Sequence, residues 1–359
     1  MTPESPVPVD RSTAPTDAID IHAHHVDPDA VAEMGRLAPG RAPRLRSLGQ
    51  GRWTMDLPPG FFRAFPDGTS RAIPAGLIDL DTRLADMDRQ GLRTHVLEGY
   101  TYLNFYHLPG ELAAAFYEIH NDAVVATARS APDRLVAMPG LPLQDPERAA
   151  AEVARLAGIP EVAGLGIGSN AGGIDLDDER YEPMWAAIDA ARLPVLIHPP
   201  GTVAGSERMG AYHLVNLIGN PVDSTFAAGR IILSGLLDRY PNLRCCFVHG
   251  GGFVPYQLGR WDHGWRVRED VRARTPRPPS AYLAGRIFFD SLTHDPQALA
   301  FLGQRVGWDH VLLGTDYPWD MSNERPLESL VEAGLDRERL RLVAAANVRA
   351  WLRPGYAPG

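Results

Sequence analysis

The sequence predicts an α/β protein of the (β/α)8, TIM-like barrel class, and three observations carry that prediction. Short apolar runs alternate with amphipathic helical segments along almost the whole chain. The runs are continuously apolar, as strands of a parallel sheet covered by helices require. Eight of them occur in 359 residues, which suits one barrel. A doubly wound open sheet would show the same alternation, but no Gly-x-Gly-x-x-Gly follows the first strand.

Taken in order, the first strand carries Asp20-Ile21-His22-Ala23-His24, preceded by the apolar Ala18 and Ile19. Residues 28–80 read as a long irregular insertion, dense in Pro, Gly and Arg, with Trp53, Phe61, Phe62 and Phe65 around Arg63. A stretch of this length is usually functional or disordered, and its aromatics predict a packed insertion or lid. Helix 81–90, strand 94–97, helix 111–129 and strand 135–138 follow. Asp145-Pro146-Glu147 opens the next helix with an N-cap residue and a first-turn proline. Strand 162–167, helix 181–192 and strand 194–198 come next, then helical residues 212–239 and strand 243–249. Helix 254–272, strand 286–290, helix 296–306, strand 311–314 and helix 336–352 complete the pattern. Residues 1–17 hold Pro and acid without an apolar signal core, so they read as a disordered lead-in to a single domain, 18–359.

Composition narrows the function classes. The formal net charge of −9, with no sustained Lys/Arg stripe, argues against a nucleic-acid partner. No apolar stretch approaches the ~20 residues needed to span a bilayer, so no membrane role is expected. The two cysteines, Cys245 and Cys246, are adjacent within an apolar run, which predicts buried thiols, a reducing compartment and a cytoplasmic protein.

The polar residues fall in a regular place. His22 and His24 are two apart in a strand and therefore share a face. Such a pair either hydrogen-bonds to backbone or shares a divalent metal. The fifth strand ends in His198, the sixth in His249, and the eighth leads into Asp316. Singly, His198 could merely end its strand, His249 could be a turn histidine, and Asp316 could cap the turn at Tyr317-Pro318. Jointly they converge on the C-terminal face, where barrel active sites lie. His25 points away from the pair if the strand continues. His95, His107, His120, His213, His263, His294 and His310 do not share the placement and are read as surface or core residues.

Several ordered motifs resemble those of the amidohydrolase superfamily, in its aminocarboxymuconate-semialdehyde decarboxylase branch. They are Asp20-Ile21-His22-Ala23-His24, Pro142-Leu143-Gln144-Asp145, Ile197-His198-Pro199, Val248-His249-Gly250-Gly251-Gly252, Gly259-Arg260, Pro276-Arg277-Pro278-Pro279-Ser280 and Leu313-Gly314-Thr315-Asp316-Tyr317-Pro318. The resemblance implies that His22, His24, His198 and Asp316 hold one divalent ion per chain, zinc in the first instance and manganese in some relatives. It implies an acid/base role for His249 beside that ion, with Asp316 also counted in the catalytic group. It assigns Arg63 and Arg260 to the substrate carboxylate, Arg260 reaching across a homodimer. Binuclear relatives carry a bridging lysine on the fourth strand; Val162-Ala163-Gly164-Leu165-Gly166-Ile167 has none, so a mononuclear site is expected.

Two segments depart from the family pattern. Pro200-Gly201 stands where an aromatic residue usually follows His-Pro, and Glu98-Gly99-Tyr100-Thr101-Tyr102-Leu103-Asn104-Phe105-Tyr106 is unusually rich in tyrosine. Both are expected on the substrate side of the pocket. The expected activity is metal-dependent, non-oxidative decarboxylation of a small unsaturated or aromatic carboxylic acid. A hydrolase or hydratase on the same scaffold is the alternative, and a barrel that binds a carboxylate without turnover is a third.

Overall fold

The computed structural model describes residues 15–49, 51–59, 67–99, 101–201 and 203–356. Strand β1 (Ile19–His25) leads into helix α1 (Pro28–Leu37) and an antiparallel sheet of β2 (Arg44–Gly49), β3 (Arg52–Leu57) and β4 (Thr69–Ile73). Helix α2 (Leu80–Gln90) precedes β5 (Thr94–Gly99), α3 (Gly110–Ser130) precedes β6 (Leu135–Met138), and α4 (Pro146–Ala157) precedes β7 (Leu165–Gly168). A small hairpin, β8 (Asn170–Ala171) and β9 (Ile174–Asp175), is followed by α5 (Glu182–Ala191) and β10 (Val195–His198). Helices α6 (Asn220–Leu233) and α7 (Leu236–Arg239) precede β11 (Cys245–Phe247). Helices α8 (Val254–Val267) and α9 (Glu269–Arg272) precede β12 (Ile287–Asp290), and α10 (Pro296–Val306) precedes β13 (Val311–Leu312). Helices α11 (Pro326–Glu332), α12 (Arg337–Arg341) and α13 (Asn347–Trp351) end the chain.

The parallel strands form a three-stranded sheet, β1-β5-β6, and a five-stranded sheet, β13-β12-β11-β10-β7. Hydrogen bonds tie the two sheets at both seams. Ile21 N donates to Leu313 O (3.0 Å), Asp316 N to His22 O (2.9 Å) and His24 N to Tyr317 O (2.8 Å). At the other seam Ala163 N donates to Ala137 O (3.1 Å) and Gly166 N to Pro139 O (2.9 Å).

The apolar runs fill two layers. Ile19, Ile21, Val96, Val136, Leu196, Cys246 and Leu312 pack together inside the strands, with Trp351 and Leu352 joining them. Leu97, Ala137, Ile197, Cys245 and Phe247 belong to the layer shared with the helices. Cys245 and Cys246 thus face opposite sides, and both are buried free thiols, as neighbouring strand residues should be. Each fully buried Leu or Ile contributes on the order of 1.5–3 kcal/mol. Helix starts are fixed by aspartates: Asp27 accepts from Ala30 N (2.8 Å), Asp79 from Thr82 N (2.7 Å) and Asp295 from Ala298 N (2.7 Å).

Two expectations need correction. The stretch 28–80 is not irregular in its described part, because it holds α1 and the β2-β3-β4 sheet. Its outer strand β2 is mostly exposed and polar, so it lacks the alternation that marks a half-buried strand. The sixth parallel strand ends at Phe247. His249 therefore sits past it, in a turn with φ 57°. Residues 1–14 of the expected lead-in, and Phe61, Phe62, Arg63 and Phe65, lie outside the described residues. Asp17, at the end of that lead-in, is anchored by Arg349 Nη1 (2.6 Å). Among the described residues no helix is long and apolar enough to cross a membrane.

The turn after β11 depends on glycine. At Gly252, φ is +61° and a Cβ would stand 2.0 Å from Pro221 O. Gly252→Ala is expected to destabilise the fold by at least about 2 kcal/mol, combining left-handed strain with a backbone clash. Chemical denaturation checks this; a variant within about 0.5 kcal/mol of the parent would contradict the turn geometry.

Candidate metal centre and active site

The strand ends bring four buried side chains to one point. His22 and His24 come from β1, His198 ends β10, and Asp316 follows β13. One ligand atom from each lies within 4.8 Å of the others. His24 Nε2 is 3.0 Å from Asp316 Oδ1, and His22 Nε2 is 3.5 Å from the same oxygen. The three imidazole rings meet edge to face, at centroid separations of 5.0–5.3 Å.

The test of whether these residues suit a metal is what their buried nitrogens do without one. His22 Nε2 and His198 Nε2 are buried and make no hydrogen bond. Their Nδ1 atoms are engaged instead, His22 with Asp290 Oδ2 (2.8 Å) and His198 with Pro199 O (2.8 Å). Two imidazoles fixed through Nδ1 with Nε2 turned inward beside a carboxylate form a donor set for a divalent ion. Charge agrees with this. Burial disfavours imidazolium at His22, but the carboxylates of Asp316 and Asp290 outweigh it and raise its pKa to about 9. Burial, then the neighbouring His249, hold His198 well below the ordinary range. Asp316 is held well below its usual range, burial opposing and His22 and His24 prevailing. A positive charge is wanted at this point, and the residues fit a divalent cation.

His249 stands beside the cluster. Its ring centroid is 5.4 Å from that of His22 and 5.0 Å from that of His198, and Nε2 is 3.8 Å from Asp316 Oδ2. Two cavities open at this point. One, of about 1060 Å³, is lined by His24, His198 and Asp316; the other, of about 340 Å³, by His249, Gly250 and Asp316. Asp316, Asn216 and Met321 line both.

Of the two arginines singled out in the sequence, Arg63 lies outside the described residues and Arg260 is exposed on α8, lining neither cavity of its own chain. Among the described residues, a further arginine lies at the site. Arg71, on β4, lines the larger cavity, and its guanidinium carbon lies 4.8 Å from the centroid of the Tyr102 ring. In Thr69-Ser70-Arg71-Ala72-Ile73, positions 70 and 72 are exposed while 69, 71 and 73 are more buried, an alternation the residue types themselves do not show. The departing segments do line this cavity, through Thr101, Tyr102 and Gly201. Other motif residues are structural. Arg277 bonds Asp238 (3.1 Å) and covers the Tyr282 ring (4.4 Å), and His25 bonds Thr127 (3.1 Å).

Parallel strands under helices, with a metal-suited histidine and aspartate set at their C-terminal ends, define a metallo-enzyme class of α/β fold. Residues 19–353 match the amidohydrolase family, and the chain belongs to that family. Proteins named as decarboxylases are among its relatives. It is 33% identical to 2-amino-3-carboxymuconate-6-semialdehyde decarboxylase of Dictyostelium discoideum, over 73% of this chain and 74% of that one. It is 27% identical to gamma-resorcylate decarboxylase of a Rhizobium species, over 68% and 78%. Among solved structures, 5-carboxyvanillate decarboxylase from Sphingomonas paucimobilis superposes with a TM-score of 0.75 at 22% identity, covering 94% of this chain and 99% of that one. A dihydroxybenzoic acid decarboxylase from Polaromonas, with bound manganese, superposes with a TM-score of 0.72 at 20% identity, covering 93% and 96%.

His249 is outside the group of four whose ligand atoms lie within 4.8 Å of one another. His22→Ala is expected to lose most of its bound metal, whereas His249→Ala should retain near-parental content by elemental analysis. Loss of metal from His249→Ala would make that residue a ligand.

Proposed function

We propose that this chain is a metal-dependent, non-oxidative decarboxylase of a small unsaturated or aromatic carboxylic acid. The observation that carries this reading is His249 beside the His22, His24, His198 and Asp316 set, where the cavity lined by Arg71 and the cavity lined by His249 share Asp316. The homologues named as decarboxylases support it. The hydrogen bonds at both seams support reading the two sheets as one closed (β/α)8 barrel, with residues 18–359 as one domain and 28–80 as its insertion.

His22, His24, His198 and Asp316 would hold one ion per chain, zinc or manganese, since nitrogen and carboxylate donors suit either. When bound, such an ion supplies a Lewis acid that clamps substrate oxygens and stabilises negative charge as carbon dioxide leaves. The chain's own residues do the rest. Arg71 donates paired hydrogen bonds to a substrate carboxylate and fixes its orientation, while Tyr102 and Trp319 present aromatic faces to the cavity. As the carbon–carboxylate bond breaks, its electron pair stays on carbon. His249 delivers a proton to that carbon, so the acid becomes carbon dioxide and the protonated product. Arg63, which the family resemblance assigns to the substrate carboxylate, lies outside the described residues, and Arg71 is a further candidate for that role.

Arg260 fits a site in a second copy. It shares α8 with the 76% exposed Tyr256, and Phe226 and Phe253 are exposed close by, flanking a cavity of about 650 Å³ between α6 and α8. A homodimer packed on this face would cover the apolar side chains and carry Arg260 to its partner's cavity. A cytoplasmic location accords with the two buried free thiols.

Carbon dioxide release from a panel of ortho-hydroxy and ortho-amino aromatic acids tests the activity. Release that disappears in His249→Ala is the expected result, with Arg71→Ala lowering kcat/KM by roughly 10²-fold or more, mainly through KM. Ester or amide hydrolysis without carbon dioxide would replace the reading by a hydrolase. Mixing inactive His249→Ala with inactive Arg260→Ala should restore about a quarter of parental activity, since half the dimers are hybrid and each has one complete site. No recovery after subunit exchange would place Arg260 outside its partner's site.

A further inference from the structure

We propose that Asp290 is a positioning residue that fixes both the metal-facing side of His22 and the turn carrying His249. The inference rests on the reading of His22 as a metal ligand. Asp290 is the last residue of β12, fully buried, and lines neither cavity of the site. Its two oxygens have separate tasks. Oδ2 is 2.8 Å from His22 Nδ1. Oδ1 accepts from Gly250 N at 2.7 Å and from Leu292 N at 3.2 Å. Gly250 is the next residue after His249, so one carboxylate ties the ends of β1, β11 and β12 together.

The two backbone amides decide which oxygen faces which partner. Both are donors only, so the atom facing them must be an acceptor. The remaining oxygen then takes the Nδ1 proton of His22, which leaves Nε2 as the nitrogen with a free lone pair. Space for the arrangement is made at Gly314. A Cβ there would stand 2.8 Å from Asp290 Cβ and 3.1 Å from His22 Cβ. His249 is held with φ at 57°, and the Gly250 hydrogen bond helps keep that turn in place.

Asp290→Asn separates the two tasks. Its carbonyl oxygen must still face the Gly250 and Leu292 amides, which puts the NH2 group against His22 Nδ1. That donor requires an acceptor at Nδ1, so the proton moves to Nε2 and His22 is lost as a ligand. Full-length apoprotein is titrated with Zn2+ against a chromogenic chelator, alongside thermal melting of the apo forms. The expected result is Zn2+ affinity about 10–100-fold weaker in Asp290→Asn, with amide exchange at Gly250 still protected. Asp290→Ala should lose both. Zn2+ affinity in Asp290→Asn within about threefold of parental would overturn the proposal. Parental protein that takes up no Zn2+ would overturn the metal reading itself, and this inference with it. Long-range 1H–15N spectra of Zn2+-loaded parental protein give a second reading that does not depend on a variant folding. His22 protonated on Nδ1 is expected; a proton on Nε2 would overturn the assignment.

Discussion

Asp316 is the group on which the mouth of the strands depends. It is a buried carboxylate whose Oδ1 lies 3.0 Å from His24 Nε2, and it stands within 4 Å of His22 and His249. An isolated buried carboxylate is costly, and so are buried imidazoles without partners. Brought together, the acid and the histidines offset one another's cost, provided the strands that carry them stay in register. The hydrogen bonds that hold that register are also the ones that close a seam. Asp316 N donates to His22 O, and His24 N donates to Tyr317 O. Joining β1 to the segment after β13 and assembling the site are therefore one structural event.

A polar layer beneath the site keeps this seam from slipping. Asp20 accepts from His22 N (2.9 Å), Thr315 N (3.0 Å) and Thr315 Oγ1 (2.6 Å). Burial pushes its carboxyl up to about 6, against the pull of these donors. Arg83, also buried, donates to His24 O, approaches His95 Nδ1 (3.2 Å) and covers the Tyr317 ring at 4.9 Å. Replacing such a layer with apolar residues would often cost nothing in stability. Its contribution here is geometric. Every backbone group it grips belongs to residues 22, 24 or 315, at or next to the ligands.

This division explains what could be read from sequence. Strand positions were legible because each parallel strand is buried on both faces and reads as a continuous apolar run, from Val195-Leu196-Ile197 to Val311-Leu312. The convergence of His22, His198 and Asp316 was legible because parallel strands send their C-terminal ends to one face, so these residues could be joined across nearly 300 positions. The β2-β3-β4 sheet was not, because its exposed strands carry arginine and serine. Helix α1 left a readable trace in Asp27-Pro28, an N-cap followed by a first-turn proline, obscured by the Pro- and Gly-rich chain after it. Arg71 and Asp290 were missed for a shared reason. Each acts through where its strand lies in space, and neither stands in a local motif that names its partner.

The solved carboxyvanillate and 2,6-dihydroxybenzoate decarboxylases share this architecture at 22% identity. In this chain the residues lining the larger cavity away from the ligands come from connecting segments. Thr101 and Tyr102 follow β5, Gly201 and Met209 follow β10, and Arg71 comes from the insertion. These segments are tied to the frame at few points. Asp223 on α6 accepts from Ser169, from Asn170 Nδ2 (2.8 Å) and from Ala204 N (3.3 Å), pinning the stretch after β10 to the end of β7. Tyr106 OH accepts from Gly168 N (2.8 Å) and pins the stretch after β5 to the same strand. The ligand-side residues thus sit at strand ends, while much of the rest of the larger cavity is lined by connecting segments anchored to them. The tyrosine-rich segment and Pro200-Gly201 lie in those segments, Thr101, Tyr102 and Gly201 lining the cavity.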